Sequence, residues 1–518
     1  MDTSSASEHS AKHHADEAHV STVKNAQVDT AAQLVAGSAV RLTPEEALRL
    51  RRKIDLHIMP LMCTMYLIQF LDKTTLGEAA VLGIIPGAHL TETQFNWLGT
   101  IFYLSYLVFQ YPQNLALQRF PVGRWVTINI FLWAVILLCH AACSSFGGLF
   151  TVRFLLGVCE GAVTPGFMIV TSMFYTREEQ TRRVGYWFLM NGVAVIFLGF
   201  ISFGVLHTHT GAFLPWQWLM VITGTITLVV SVLFWFFFPD SPTTAWFLTP
   251  EERILAIERI RENQTGVENK HFKWDQFWET IKDPRTWLFA LFAGTSNVVN
   301  SLTNQRQLIV AQFGFNDIQT TLLGCVDGVV EIVSIFVGVT LASQKHVGRA
   351  FSGVLMYVPA ILGAILVSAL PYSDTVGLLF SYWLSIFAIA PFSIFLGWIG
   401  AITSGHTRRI TTNAIVLCGY AIGNAVSQFM WKAEYQPRNH IPWAVITACN
   451  FAAGVMLILI RFWLASENKK RDAEGYDDTY DSVYIAEEQA DGSTLEKKVD
   501  KAFLDLTDKQ NREFRYIL

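Results

Sequence analysis

Long uncharged apolar stretches alternate along the chain with short polar junctions, and Lys and Arg gather at every second junction. After Lys73, near the end of the first apolar stretch, no Lys or Arg occurs until Arg119, beyond the second stretch. Basic residues are concentrated in the cytoplasmic loops of membrane proteins, and about 20 apolar residues suffice for a helix to cross the hydrocarbon layer. The pattern therefore predicts a chain that crosses a bilayer repeatedly, with both termini cytoplasmic.

A polar segment with six Lys and Arg residues, 239–282, divides these stretches into two sets of six. We therefore expect an all-α membrane protein with about twelve transmembrane helices in two six-helix bundles. The predicted order is a disordered cytoplasmic tail, an N-terminal bundle, a cytoplasmic connector, a C-terminal bundle and a second cytoplasmic tail, at 1–50, 51–238, 239–282, 283–465 and 466–518. Val122-Gly123-Arg124 and Val347-Gly348-Arg349 lie at equivalent junctions of the two halves, which indicates an internal duplication around a central cavity.

Composition supports a multi-pass membrane protein. Hydrophobic residues make up 52% and charged residues 15% of the 518, and the mean hydropathy is +0.35, whereas a typical soluble chain carries about 25% charged residues. All seven cysteines lie in apolar stretches, and the sequence has neither a metal-ligand spacing nor a Gly-Lys-Ser/Thr phosphate loop. We therefore expect no enzyme activity, no cofactor, no metal and no nucleic-acid partner, and we expect a monomer in the plasma membrane.

Several motifs resemble one known family. They are PLMCTMYLIQFLDKTTLG, YLVFQYPQNLALQRFP and RFLLGVCEG in the first, second and fourth stretches, FPDSPTTAWFLTPEERILAIERIREN after the sixth, and GYAIGNAVSQF in the eleventh. Together they are similar to the major facilitator superfamily and, more narrowly, to the fungal allantoate permease family of anion:cation symporters. The resemblance covers nearly the whole chain beyond the first fifty residues. It implies the major facilitator fold and a role in organic-anion transport for Lys73, Arg153 and Glu160.

The chain departs from the superfamily pattern in the loop after the second stretch. Asn114 and Gln118 stand where the superfamily has Gly and Asp, while Arg119, Gly123 and Arg124 of this conformational motif remain. The superfamily's Asp at this position normally forms a contact that stabilises one conformation, and we do not expect that contact in its usual form here. The fifth stretch, MNGVAVIFLGFISFGVL, lacks the Gly-Pro signature of proton-coupled drug antiporters, so the resemblance favours uptake by symport over export.

Ionisable side chains within the apolar stretches are candidates for function, because each costs about 2.5 to 3.5 kcal/mol to place at the centre of a membrane helix. Asp72 and Lys73 lie in the first stretch, and Arg153 and Glu160 lie in the fourth. We hypothesise that Lys73 and Arg153 form the cationic end of the cavity and bind a substrate carboxylate, since a guanidinium can hold a carboxylate by two hydrogen bonds. The alternative is a structural ion pair between Asp72 and Arg153, which helical rise places at similar depth.

Coupling to a proton gradient requires a carboxyl group that gains and loses a proton near neutral pH, which burial in a low dielectric favours. Glu160 is the first candidate and Asp72 is another, although Glu160 could instead be a permanently ionised partner of Arg153. Asp327 and Glu331, four residues apart in the eighth stretch, share one helix face. Two acids so close together are costly to keep charged in a membrane, so we expect either that one carries a proton or that both contact a cation such as a substrate amine. The alternative is that Asp327 lies in water at the outer surface.

Polar side chains form stripes on two further stretches. Asn297, Asn300 and Asn304 share a face of the seventh, and Tyr420 and Asn424 share a face of the eleventh. The first stripe either orients a polar ligand or makes hydrogen bonds between helices. For the second, the family resemblance favours a gating or packing role.

The function predicted from these features is proton-coupled symport. The substrate would be a small organic anion, such as a ureide or a vitamin-like or nitrogenous carboxylate, imported by alternating access. The alternative is a nutrient sensor with the same fold and no net flux. A sensor needs no titratable coupling group and would have an unusually long cytoplasmic extension, whereas the tails here are about 50 residues each. The buried charges therefore favour the transporter.

Overall fold

The computed structural model describes residues 21–23, 43–208, 211, 213–260, 272–474, 483–488, 494–498 and 504–518. Most of the predicted N-terminal tail lies outside these residues. The first helix begins at Pro44, where Thr43 and Glu46 form a capping box that satisfies free backbone N–H groups of the first turn. Ser21–Val23, Val483–Glu488 and Thr494–Lys498 are short strands, β1, β2 and β3. β1 pairs with β2 in parallel, and β2 pairs with β3 antiparallel.

Twelve long helical segments make up most of the described residues, six on each side of the connector. The first six are α1 Pro44–Val81, α2 Glu92–Arg119, α3 Val122–His140, α4 Phe146–Phe174, α5 Arg177–Leu206 and α6 Pro215–Phe237. The next six are α7 (Pro284–Ser296, Asn297–Ser301 and Leu302–Gln312), α8 Asp317–Ala342, α9 Gly348–Ala369, α10 Thr375–Ile402, α11 His406–Met430 and α12 His440–Glu474. Short helices occupy Ile84–Gly87, Pro250–Ile260 and Trp274–Lys282.

Ten of these segments, searched over the described residues, are long and apolar enough to cross a membrane. The helical membrane fold predicted from the sequence is thereby confirmed. The other two, α2 and α7, are of similar length and pack among the ten, but neither meets the same measure of length and apolarity. The full count of twelve spans and the cytoplasmic location of the termini stay predictions.

The two halves, α1–α6 and α7–α12, meet most extensively along two helix pairs. α5 packs against α8, and α2 packs against α11. At the first pair the backbones approach so closely that a Cβ on Gly192 would lie 2.4 Å from the carbonyl oxygen of Gly328, and a Cβ on Gly328 would lie 2.4 Å from that of Gly192. Small residues permit such contacts between membrane helices. The position of the two halves therefore depends on glycine at both sites.

Replacing Gly192 by alanine is expected to lower the thermal stability of the purified protein, because the added methyl group forces α5 away from α8. Overpacking of this kind costs about 1–3 kcal/mol. Gly204→Ala on the same helix is the matched control, since nothing lies within 4 Å of its added Cβ. Melting curves in detergent, followed by tryptophan fluorescence, measure the difference. Equal melting temperatures for the two variants would contradict a close packing of the halves at Gly192.

The last described segment, 504–518, packs against one end of the bundle together with the connector, and we call this the connector end. The predicted C-terminal tail begins at residue 466, but α12 continues to Glu474. Phe514 is fully buried. Asp508 Oδ2 accepts a hydrogen bond from Tyr516 at 2.6 Å, and Asp508 Oδ1 lies 2.7 Å from Arg408 Nε. Burial alone would raise the pKa of Asp508, but the guanidinium groups of Arg408 and Arg285 lower the pKa below its usual value.

Arg349 of the repeated Val-Gly-Arg motif joins the two halves at the connector end. Its Nε donates to Thr181 Oγ1 at 2.8 Å and its Nη2 donates to the Arg177 carbonyl at 3.1 Å, both at the start of α5. Gly348, with φ +70°, supplies the left-handed backbone that starts α9 there. Gln118 also crosses between the halves, donating to Thr407 Oγ1 at 3.2 Å.

The opposite end, where Glu78 and Arg306 meet, is called the distal end. Arg306 Nη2 lies 3.3 Å from Glu78 Oε1, and Gln307 Nε2 donates to the same oxygen at 2.7 Å. These contacts join α1 of the first half to α7 of the second. The halves therefore touch at both ends, with the interior of the interface between them.

Candidate functional site

A cavity with about 720 Å³ of atom-free space lies at the interface of the two halves. Helices α1, α2, α4 and α5 line it from the first half, and α7, α8, α10 and α11 line it from the second. Four of these helices lose regular α geometry beside it, and α5 does so at Leu189, between Phe188 and Met190. α4 breaks after Glu160, α7 contains the 3₁₀ turn Asn297–Ser301, and α10 contains the 3₁₀ turn Ile386–Ile389. Broken helices around a central cavity are typical of substrate sites in transporters.

Lys73 lies at the centre of an aromatic enclosure. Tyr66, Gln69, Phe70 and Lys73 line the cavity from one face of α1, as spacings of three and four residues require. The Lys73 ammonium donates to the hydroxyl of Tyr420 on α11, and it lies 5.2 Å from the ring centroids of both Tyr420 and Tyr103. Among the described residues no carboxylate forms an ion pair with Lys73. Its charge is therefore stabilised by ring faces and a hydroxyl, and it remains available to an anion.

Glu160 faces the same cavity from the last residue of the first part of α4. Its Oε1 accepts a hydrogen bond from Gln69 Nε2 at 3.1 Å, and only 3% of the residue is exposed. Lys73 lies close enough to interact electrostatically with this carboxylate. Gln69 lies one helical turn from Lys73 on α1, so a single face of α1 positions both the cation and the carboxylate's hydrogen-bond donor.

The second half contributes uncharged polar groups and one acid to the cavity. Asn297 and Asn300 line it from the irregular turn of α7, and Asn300 Nδ2 donates to Asn297 Oδ1 at 2.8 Å. Glu331 lines it from α8 and bonds the side chain of Asn191 on α5. Of the residues singled out in the sequence, the cavity thus brings together Lys73, Glu160, Asn297, Asn300, Glu331 and Tyr420.

Asp72 and Arg153 do not line this cavity but lie inside the first half. Asp72 Oδ2 accepts hydrogen bonds from Trp133 Nε1 at 2.8 Å and from Thr227 Oγ1 at 2.6 Å. Successive residues of a helix point about 100° apart, so Asp72 faces the bundle interior because Lys73 faces the cavity. Arg153 is 2% exposed, and its Nη2 has no hydrogen-bond partner.

The structure therefore changes both alternatives for Arg153, which were a substrate site beside Lys73 and an ion pair with Asp72. It does not share the cavity wall with Lys73, because it lies two turns, roughly 10 Å, along α4 from Glu160. It also makes no ion pair with Asp72 within 4 Å among the described residues, although the two charges are close enough to interact. Arg153 and Asp72 are better described as a loosely coupled pair of opposite charges within the first half.

Asn304 and Asn424 also lie away from the cavity, in the packing of α7 against α11. Asn304 Nδ2 donates to Gln428 Oε1 at 3.3 Å, and Asn424 Nδ2 donates to the Tyr420 carbonyl at 2.8 Å. Both contacts are made between or within helices of the second half. These contacts favour the alternative in which Asn304 and Asn424 make hydrogen bonds between or within helices and do not bind a ligand.

Gly123 and Arg124 of the conformational motif contact the start of the connector. A Cβ on Gly123 would lie 2.9 Å from Asp240 Oδ1, and the Arg124 backbone N–H donates to the same oxygen at 3.1 Å. Arg119 is exposed. The contact between halves comes instead from Arg349, in the second copy of the repeat.

A smaller cavity, with about 400 Å³ of atom-free space, adjoins the main one towards the distal end. Arg306, Asp327, Glu331 and Asn300 line it, and the last two also line the main cavity. Asp327 does not lie in water at the outer surface, since it is 4% exposed. Its Oδ1 accepts from Trp383 Nε1 at 2.8 Å and its Oδ2 accepts from the Tyr382 hydroxyl at 3.1 Å.

Comparison with known proteins adds independent information. A sequence profile of the Major Facilitator Superfamily matches residues 62–428. A thiamine pathway transporter of Saccharomyces cerevisiae is 35% identical over 90% of this chain and 86% of its own length. An allantoate permease of the same yeast is 32% identical over 95% and 90%. The solved proton:xylose symporter XylE, bound to 6-bromo-6-deoxy-D-glucose, is 11% identical over 79% of this chain and 95% of its own, with a TM-score of 0.62.

Proposed function

We propose that this chain, which belongs to the Major Facilitator Superfamily and is a secondary transporter, imports a small organic anion together with a proton. The protein is a multi-pass integral membrane protein, and we place it in the plasma membrane with the connector end in the cytoplasm. The single observation that carries the proposal is the pairing of an unbridged cation, Lys73, with a buried carboxyl group, Glu160, on the wall of one central cavity.

Lys73 provides the anion site. The ammonium donates to Tyr420 of the second half while it projects from α1 of the first. A substrate carboxylate would form a hydrogen bond with this ammonium in which both partners are charged, and this bond is stronger than the one to the neutral Tyr420 hydroxyl that it replaces. Substrate binding would thereby break one contact between the halves and make a new one, which links occupancy of the site to their relative movement. An allantoate permease among the relatives supports a carboxylate as the substrate class.

Glu160 provides the proton site. The carboxyl group is buried, faces the cavity and interacts with Lys73. Protonation of Glu160 removes a negative charge beside the ammonium, which leaves Lys73 free to balance the charge of an incoming anion. Proton and anion would therefore bind more tightly together than separately, and this mutual dependence is what symport requires.

Uptake measurements in cells that lack related carriers test the proposal. A panel of radiolabelled carboxylates and ureides is supplied at two external pH values to cells that express the full chain. We expect saturable accumulation of at least one member, larger at the more acidic external pH and abolished by a protonophore. Accumulation that is independent of pH would contradict proton coupling. A complete absence of uptake, with the protein present at the cell surface, would favour the sensor.

A further inference from the structure

Four carboxyl groups and two cations lie on or beside the two joined cavities in the described part of the chain. The cations are Lys73 and Arg306, and the acids are Glu78, Glu160, Asp327 and Glu331. If all were ionised, the site would carry two excess negative charges. Isolated buried charges are strongly unfavourable, and a substrate carboxylate would add a further negative charge. The bonding partners of each of the four acids therefore indicate which charged groups the substrate must carry.

Three of the four acids have their own compensation. Glu78 lies 3.3 Å from Arg306 Nη2 and accepts from Gln307 at 2.7 Å. Asp327 accepts hydrogen bonds from Trp383 and Tyr382. Glu160 lies beside Lys73 and Gln69, and under the proposed function it takes up the coupled proton.

Glu331 is the acid that remains. It is 4% exposed, it lines both cavities, and its Oε1 has no hydrogen-bond partner. The side chain also bonds Asn191 and interacts with Arg306, but that guanidinium already pairs with Glu78. The side chain projects from α8 of the second half, whereas Lys73 projects from α1 of the first. The two charges interact electrostatically across the main cavity. The cavity is therefore bipolar, with a cation on one wall and an incompletely bonded carboxylate on the other.

We propose that Glu331 binds a cationic amine of the substrate, so that the transported molecule is a small zwitterion whose carboxylate contacts Lys73 and whose ammonium contacts Glu331. This inference rests on the proposed function and specifies its substrate class. A zwitterion adds no net charge to the site, and its two ends reproduce the polarity of the cavity. Asn297 and Asn300, which line the cavity between these walls, supply hydrogen-bonding groups for the body of the ligand.

The test compares amine-bearing carboxylates with their amine-free counterparts in the full-length protein. The pairs are cysteine with 3-mercaptopropanoate, 4-aminobutanoate with butanoate, and β-alanine with propanoate. For at least one pair we expect the wild-type protein to transport the zwitterion with a kcat/KM at least about tenfold above that of its counterpart, as one charge-assisted bond implies. Glu331→Gln should reduce this ratio to below about threefold, whereas Glu331→Asp, which retains the charge, should preserve a preference.

The variants and ligands also separate failure of this inference from failure of the proposed function. Glu251 is an exposed residue of the connector, so Glu251→Gln is the control for expression and for removal of a charge. Surface labelling measures how much of each variant reaches the cell surface. Two results would overturn the inference and leave anion symport standing. One is wild-type uptake of the amine-free acids at rates equal to those of the zwitterions. The other is an equal loss of zwitterion uptake and amine-free acid uptake in Glu331→Gln. If Glu331→Gln fails to reach the surface, the wild-type ratio and Glu331→Asp still decide. No uptake of any of the six compounds would overturn the inference, and the wider panel of carboxylates and ureides then decides the proposed function separately.

Discussion

Lys73→Met is expected to lower the kcat/KM of uptake at least about 100-fold while the protein still reaches the cell surface. The Lys73 ammonium is the one cation that lines the main cavity among the described residues, and loss of a charge-assisted contact in a buried site costs about 1.5–3 kcal/mol or more. A second effect adds to the first, because Glu160 then lacks the cation with which it interacts. Methionine has a similar length and no charge, so the aromatic enclosure stays filled.

The comparison that isolates charge at this site is Lys73→Arg. The longer guanidinium cannot occupy the space between the Tyr103 and Tyr420 rings in the same way, so we expect partial activity with a raised KM. Lys432→Met, at an exposed lysine paired with Glu434, is the control and should retain full uptake. Initial rates of uptake across a range of substrate concentrations give the values. Wild-type kinetics in Lys73→Met would remove Lys73 from the anion site.

The helical phase of α1 shows what the sequence could and could not determine about the site. Asp72 and Lys73 are adjacent, both are costly in a membrane, and both were reasonable candidates. Only the rotation of α1 about its axis decides between them, and that rotation depends on packing against Trp133 and Thr227 from distant parts of the chain. The Gln69–Lys73 spacing was visible in the sequence, and it could have identified Gln69 as a member of the same face.

Contacts between the halves were harder to predict than the halves themselves. Apolar stretches and charge sidedness predicted the division of the chain at the connector. The repeated Val-Gly-Arg motif indicated equivalent positions but not their partners. Arg124 contacts Asp240 at the start of the connector, whereas Arg349 crosses to Thr181 and the Arg177 carbonyl of the other half. Such a difference between copies arises from the surroundings of each arginine, which local sequence does not specify.

Asp327 and Glu331 illustrate the same limit within a single helix. Their spacing of four residues correctly places them near each other on α8, and both are buried. Their surroundings differ because Tyr382 and Trp383 of α10 reach Asp327 and leave Glu331 Oε1 unbonded. Aromatic donors on another helix therefore decide which acid remains available to a ligand.

Glu160→Gln is expected to abolish accumulation against a gradient while exchange of substrate across the membrane continues. Glutamine keeps the shape of the side chain and the hydrogen bond with Gln69, but it cannot release or take up a proton. The neutral amide resembles the protonated carboxyl, so Lys73 should still bind the anion. Uptake should then lose its dependence on external pH, and steady-state accumulation should fall at least about tenfold, because the proton gradient no longer contributes to the driving force.

Two measurements in proteoliposomes separate this outcome from simple damage to the site. Counterflow of labelled substrate, with equal pH on both sides, should remain within about threefold of wild type. Uptake driven by an imposed pH gradient should be lost. Glu251→Gln serves as the control that retains both activities. A variant that still accumulates substrate in response to the pH gradient would show that another group carries the proton. Loss of counterflow as well would assign Glu160 to binding or folding, because a carboxyl group that only couples the proton has no part in exchange at equal pH.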